Sequence, residues 1–172
     1  MPPRPLPTEL LESPGYQMWL ATNAWQRMVR TGLEPLGVTH AQFAVLSSVA
    51  RLCGVGDIEA MNEGEPVTQT DVSRFASLDP NMASQLVRGL EARGLLSRLP
   101  HPTDRRAFRL ELTPEGEALF HRGKAVIRPL AEAFFAPLGE ERRELARMLG
   151  LINRAVGCPL AEESRVAPSE ES

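Results

Sequence analysis

Lysine is almost missing from this chain: of its 19 basic residues only Lys124 is a lysine, and the rest are arginine. Cysteine is scarce too. Cys53 and Cys158 stand far apart, outside any C-x-x-C spacing, and the three histidines are scattered. Zinc-site spacings are therefore excluded, and the two thiols read as ordinary free cysteines. No apolar run approaches the roughly 18 residues that a membrane span requires. The opening MPPRPLPTEL has no apolar h-region, so no secretory leader is expected and the cytoplasm is the expected compartment. There is no Gly-rich phosphate loop, no G-x-S-x-G and no paired carboxylate setting, so neither an enzyme nor a cofactor is expected.

What is present is enough apolar sequence for a core, 42% of 172 residues, and an uneven charge. The whole chain carries −3. Between Arg74 and Arg109, however, seven arginines face only Asp79, Glu91 and Asp104, a net of +4. The end from Ala161 to Ser172 carries a net of −3. A local basic patch on an acidic chain is the footprint that a phosphate backbone asks for. Arginine's planar fork also suits phosphates and guanine edges.

Taken in order, residues 1–13 with four prolines read as a flexible N-terminal arm. A first helix is expected from Pro14 to Thr31, with Gly32 past its end. It carries Met18, Trp19, Trp25, Met28 and Val29 at helical spacing. Thr39 and Gln42 form a capping box for a second helix. Its inner face is Phe43, Leu46, Val49, Ala50 and Cys53. Residues 54–66 form an acidic linker with room for a helical turn at 57–61. Thr68 and Asp71 start a third helix, and Ala76-Ser77-Leu78 turns into a fourth. That helix opens with Asp79 as N-cap and Pro80 at the first helical position. Its expected apolar stripe is Met82, Leu86 and Leu90, widened by Ala83, Val87 and Ala92, and Gly94 ends it.

Leu95–Leu99 and Ala107–Leu112 then read as the two strands of a hairpin, the second by its alternation at period two. Between them Pro100 to Asp104 make a turn, with Arg105 and Arg106 at the tip. Thr113-Pro114-Glu115 starts a fifth helix to about Phe135, kinked at Pro129. A sixth spans about Glu140 to Val156, with Leu145, Met148, Leu149 and Ile152 on one face and Arg142, Arg143 and Arg147 toward water. Residues 159–172 read as a disordered acidic tail. The fold class is mainly α with a small antiparallel β-hairpin: six helices around a winged helix-turn-helix.

Helix, turn, helix, hairpin is a DNA-reading outline. The major groove, about 12 Å wide, admits one α-helix, and the N-terminal half of a recognition helix meets base edges. On the fourth helix that half presents Asn81, Ser84, Gln85 and Arg88. Asn and Gln match adenine, Arg matches guanine, and Ser matches a base or a phosphate. At the wing tip Arg105 and Arg106 suit the minor groove, whose negative potential attracts arginine. Asp104 is the expected wing-shaping residue, pairing with an arginine. Thr68, Gln69, Thr70 and Arg74 are candidates for the DNA backbone. Trp19, Trp25, His40 and Arg51 offer aromatic faces and a cation for a carboxylate, so they are candidates for an effector pocket.

The order LEARGLLSR then HPTDRRAFRLELTPEG, with Asp104, Arg105, Arg106, Leu112, Thr113 and Gly116, resembles the winged-helix segment of the MarR family of bacterial transcription regulators. Val38–Leu46 is similar to that family's second helix, and the resemblance spans roughly residues 15–157. It implies an intertwined homodimer, with dimerisation helices at 14–37 and 113–158 around a DNA-binding domain at 38–112. It also implies a palindromic double-stranded DNA operator, repression as the output, and release by a small aromatic or phenolic acid. Where many members carry an arginine in the recognition helix this chain has Gln85, and its first helix has no cysteine. Two alternatives remain beside a ligand-relieved repressor: a cysteine-based redox-sensing regulator, and a protein-interaction module that does not touch DNA.

Overall fold

The computed structural model describes residues 7–56, 61, 64–104 and 107–158. Arg105, Arg106, most of the expected turn at 57–61 and the acidic tail lie outside them. The main elements are α1 (Pro14–Leu33), α2 (His40–Cys53), α3 (Gln69–Phe75), α4 (Pro80–Ala92), β1 (Leu96–Pro100), β2 (Phe108–Leu112), α5 (Pro114–Phe135) and α6 (Arg142–Ala155). The expected six helices and one hairpin are all present. A single helical turn, Thr8–Leu11, forms inside the stretch read from its prolines as an arm.

Local chemistry sets most boundaries. Ser13 caps α1 and Pro14 opens it. Gly32 does not end that helix: it lies within it, and a Cβ there would fall 2.7 Å from Leu130 Cδ1 and 2.9 Å from Val126 Cγ1. The glycine lets α1 and α5 approach closely. The turn is made instead by Gly37, left-handed at φ 66°. In α2 both bonds of the Thr39–Gln42 capping box form, at 3.0 and 3.2 Å. Thr113 caps α5, accepting from the Gly116 N–H at 3.0 Å, and the helix runs on through Pro129.

The core sits where α2 crosses the helix-turn-helix, the hairpin and the first half of α5. Val45, Leu46 and Val49 of α2 are fully buried, as are Val72, Val87 and Leu90 of α3 and α4. Leu110 of the hairpin and Phe120 of α5 close it. Each such side chain contributes roughly 1.5–3 kcal/mol by leaving water. The Phe43 ring stacks on Phe120 at 6.4 Å and lies against Gly123, where a Cβ would enter the ring.

The two ends of the chain are different. No residue of α6 is buried, and Met148, Leu149, Leu151 and Ile152 are exposed. Met18, Trp19 and Leu20 of α1 are exposed as well. The sequence groups Met18 and Trp19, and likewise Met148, Leu149 and Ile152, on apolar faces, yet among the described residues nothing buries them. Among the described residues no helix is long and apolar enough to cross a membrane.

Candidate nucleic-acid interface

α3 is capped at its start and braced at its end, where it turns into α4. The Thr68 hydroxyl accepts from the Asp71 N–H at 3.3 Å and donates to its carboxylate at 2.7 Å, while the same carboxylate accepts the Thr68 N–H at 2.8 Å. At the far end of α3 the Ser73 hydroxyl donates to the Leu78 carbonyl at 2.8 Å, and the Leu78 N–H returns to the Ser73 carbonyl at 2.9 Å. Ser77, between them, is left-handed with φ 49°, a conformation that non-glycine residues adopt at a cost. Asp79 then caps α4, accepting from the N–H groups of Asn81 (2.8 Å) and Met82 (3.2 Å).

The orientation of α4 differs by a fraction of a turn from the stripe expected in the sequence. Ala83, Val87 and Leu90 form its buried line and Leu86 is half-buried, but Met82 is 50% exposed and Ala92 is exposed. The line Ala83–Val87–Leu90 faces the core, which turns Met82, one position earlier, toward solvent. Asn81, Gln85 and Arg88 are exposed beside Met82, with Ser84 half-buried among them. Positions 81, 84, 85 and 88 share one helical face. The Arg88 Nε–H donates to the Ser84 carbonyl at 3.3 Å, which lays the guanidinium along that face.

The hairpin pairs Leu96 with Leu112 and Pro100 with Phe108. Leu110 points into the core, whereas Phe108, expected on the same inner side, is exposed. Phe108 lies beyond the edge of the core and is covered by Arg98 instead. The guanidinium sits 4.6 Å from the ring centroid and also reaches Glu91 of α4 at 3.8 Å. The hairpin is tied to α3 as well. The Leu110 N–H donates to the Val67 carbonyl at 2.7 Å, and Thr68 pairs with Arg109 in an isolated antiparallel bridge. A groove of about 260 Å³ runs between α3 and the hairpin, lined by Thr68, Gln69, Thr70, Arg98 and Phe108. Thr70 and Arg74 face solvent, whereas the Thr68 hydroxyl is committed to its cap.

In the wing turn the His101 ring nitrogen Nδ1 accepts from the N–H of Asp104 at 3.1 Å and of Thr103 at 3.4 Å. His101 escaped sequence reasoning, which gave the shaping of the wing to Asp104. The signal was there in Pro102, which supplies no donor of its own. Arg105 and Arg106 lie outside the described residues.

Two of the four candidate pocket residues lie on α2 and two on α1. His40 and Arg51 stand at opposite ends of α2, roughly 16 Å apart along its axis. Trp19 is 60% exposed and stacks on Tyr16 at 6.1 Å. Trp25 packs against Phe134 and Phe135 at 5.4 and 6.0 Å. Burial lowers the His40 pKa from its ordinary 6.5. Cys53, expected on the inner face of α2, is exposed as the last residue of that helix; its thiol leans on the Leu110 carbonyl at 3.8 Å, and partial desolvation, then the Glu111 carboxylate, push its pKa up from 9.0. Cys158 Sγ lies 3.3 Å from the Ser77 hydroxyl. Among the described residues no cluster of His, Cys, Asp or Glu is arranged to hold a metal.

Residues 58–107, which take in α3, α4, β1 and the connection that follows it, match the family model described as MarR family. The chain is 31% identical over 140 residues to the uncharacterized HTH-type transcriptional regulator YdcH of Bacillus subtilis, covering 81% of this chain and 90% of that one. Its fold superposes on the transcriptional repressor CouR of Rhodococcus jostii, bound to a 23-mer DNA duplex, with a TM-score of 0.72 and 27% identity. That match covers 88% of this chain and all of CouR. It also superposes on Mycobacterium tuberculosis Rv2887 in complex with salicylic acid, with a TM-score of 0.59 and 26% identity over 81% of this chain and 96% of that one.

Proposed function

The chain belongs to the MarR family, and from that premise we propose that it is a sequence-specific, double-stranded DNA-binding transcription regulator that acts as a homodimer in the cytoplasm. The observation that carries this reading is that the helix-turn-helix with its polar α4 face and the wing are tied together, α3 through the Leu110–Val67 hydrogen bond and α4 through the Arg98–Glu91 ion pair. Asn81, Ser84, Gln85 and Arg88 read base edges in the major groove, and Arg105 and Arg106 engage the minor groove. Gln69, Thr70 and Arg74 meet phosphates, with Thr68 setting the helix that carries them.

Two such bodies must enter successive major grooves about 34 Å apart, which calls for a symmetric pair and a palindromic operator. The uncovered faces of α1 and α6, with α5 behind them, supply the interface. Residues 14–37 and 113–158 are the dimerisation parts, and 38–112 is the reading part. The output is repression relieved by a small aromatic or phenolic acid, as a relative's salicylate complex suggests. Trp19, Trp25, His40 and Arg51 serve that acid only if the pocket forms between subunits. The relatives are regulators, not enzymes, and the chain is read as non-catalytic with no cofactor.

The test is a gel shift with the DNA upstream of the protein's own gene, with and without salicylate. A shift that survives excess random duplex and weakens with the acid supports the reading. Equal affinity for random duplex sinks it. The redox alternative is weakened by the raised Cys53 pKa, since the thiolate is the reactive form. The interaction-module alternative predicts no DNA affinity at all.

A further inference from the structure

We propose that His101, through an unprotonated Nδ1, is the positioning residue that holds the wing turn in the shape that meets DNA; this rests on the DNA-binding reading above. The connection between β1 and β2 spans residues 101–107, longer than the two to five residues of ordinary hairpin loops, so strand register alone does not set its path. The ladder ends with Pro100 opposite Phe108, and the His101 N–H adds one more rung to the Ala107 carbonyl at 3.2 Å. Beyond it Pro102 has no N–H to give. The next donors, the backbone N–H groups of Thr103 and Asp104, lie past that last rung.

Both converge on the same atom. Nδ1 of His101 lies 3.4 Å from the Thr103 nitrogen and 3.1 Å from that of Asp104, with the Thr103 hydroxyl also at 3.4 Å. An imidazole nitrogen that accepts these bonds carries no proton. The Ala107 N–H closes the loop on the Asp104 carbonyl at 3.1 Å. The ring is thus the hub of the turn. It does what an Asn or Asp side chain does for its own backbone in an Asx turn. Asparagine Oδ1 stands the same number of bonds from the backbone as His Nδ1, whereas the glutamine oxygen stands one bond further out. That difference separates an acceptor in the right place from a polar side chain of similar bulk.

The experiment compares the full-length chain with His101→Asn, His101→Gln and His101→Ala. The probe is a duplex enriched from a random pool by the unaltered protein, and melting temperature and Asp104 amide exchange are followed without DNA. With equal melting temperatures, Ala and Gln should lose Asp104 protection and bind about tenfold more weakly, while Asn stays within about threefold of the parent. Parent-like binding by the Ala variant overturns the proposal, and so does an Asn variant as weak as Ala. An Arg105→Ala/Arg106→Ala double variant runs alongside. If it binds like the parent, the DNA-binding wing falls and this inference with it. If it binds weakly while His101→Ala does not, only this inference falls.

Discussion

Gly116 lies directly beneath the carbonyl of Leu95: a Cβ on it would land on the oxygen and 2.9 Å from the carbonyl carbon. Thr113 stitches the same junction, its hydroxyl donating to the Gly94 carbonyl at 2.6 Å and its N–H to the Leu95 carbonyl at 3.3 Å. The start of α5 is thereby locked under the base of the wing. Gly116→Ala should destabilise the fold by about 3 kcal/mol or more, because backbone, not a movable side chain, blocks the methyl. Gly89→Ala, where nothing lies within 4 Å, should be neutral or stabilising by up to about 1 kcal/mol. Urea unfolding of the two variants checks the contrast, and equal effects would remove the argument.

The helix-turn-helix corner contains a second backbone prediction. Ser77 holds a left-handed φ of 49° that costs a non-glycine residue roughly 1–2 kcal/mol. Ser77→Gly relieves it, less the extra entropy of glycine in the unfolded chain. A net gain of up to about 1 kcal/mol is expected in the urea midpoint. A loss would show that the Ser77 hydroxyl, 3.3 Å from Cys158, matters more than the backbone.

These two sites mark the limits of sequence reading here. Caps were legible because they are local: Thr39 with Gln42, Thr68 with Asp71 and Asp79 before Pro80 all form as spacing predicts. Gly32 was misjudged because a glycine that ends a helix and one that admits a neighbouring helix look alike in sequence. Met82 was misplaced because two helical faces a fraction of a turn apart both looked apolar, and only the core decides between them. His101 was passed over because its role depends on where the neighbouring N–H groups point.

On DNA, Gln85→Ala should relax preference at one base pair by roughly 1–3 kcal/mol. Arg106→Ala should instead weaken specific and random duplexes together and flatten the log K against log salt slope by about one unit. Binding titrations at several salt concentrations separate the two roles. A Gln85 variant that loses equally on both duplexes would be a backbone contact.

Acid should weaken the fold through His40. Burial keeps its pKa in the folded state below the ordinary 6.5, so below that value the unfolded chain takes up more protons. Stability therefore falls as pH drops from 6.5 toward the lowered folded value, and His40 contributes no pH dependence well above 6.5. His40→Gln should flatten that limb of a denaturation series between about pH 7.5 and 5. An unchanged limb would place the titration elsewhere.

Cys53 is exposed as a residue, yet partial desolvation of its thiol and the Glu111 carboxylate both disfavour the thiolate, so it should alkylate more slowly at neutral pH than a free thiol. Glu111→Gln removes the second cause and should speed iodoacetamide labelling of Cys53, read by peptide mass. A rate unmoved by the substitution would leave desolvation as the whole cause.

The bond from Leu110 to the Val67 carbonyl has a consequence for how such a protein would sense its site. With wing and helices fused, each reading unit has no slack of its own to absorb a misfit. A palindrome whose halves stand one base pair too far apart should be refused outright rather than bound with a distorted wing. The pair then behaves as a caliper of fixed jaws, and a signal that loosens its hold on DNA need only change the gap.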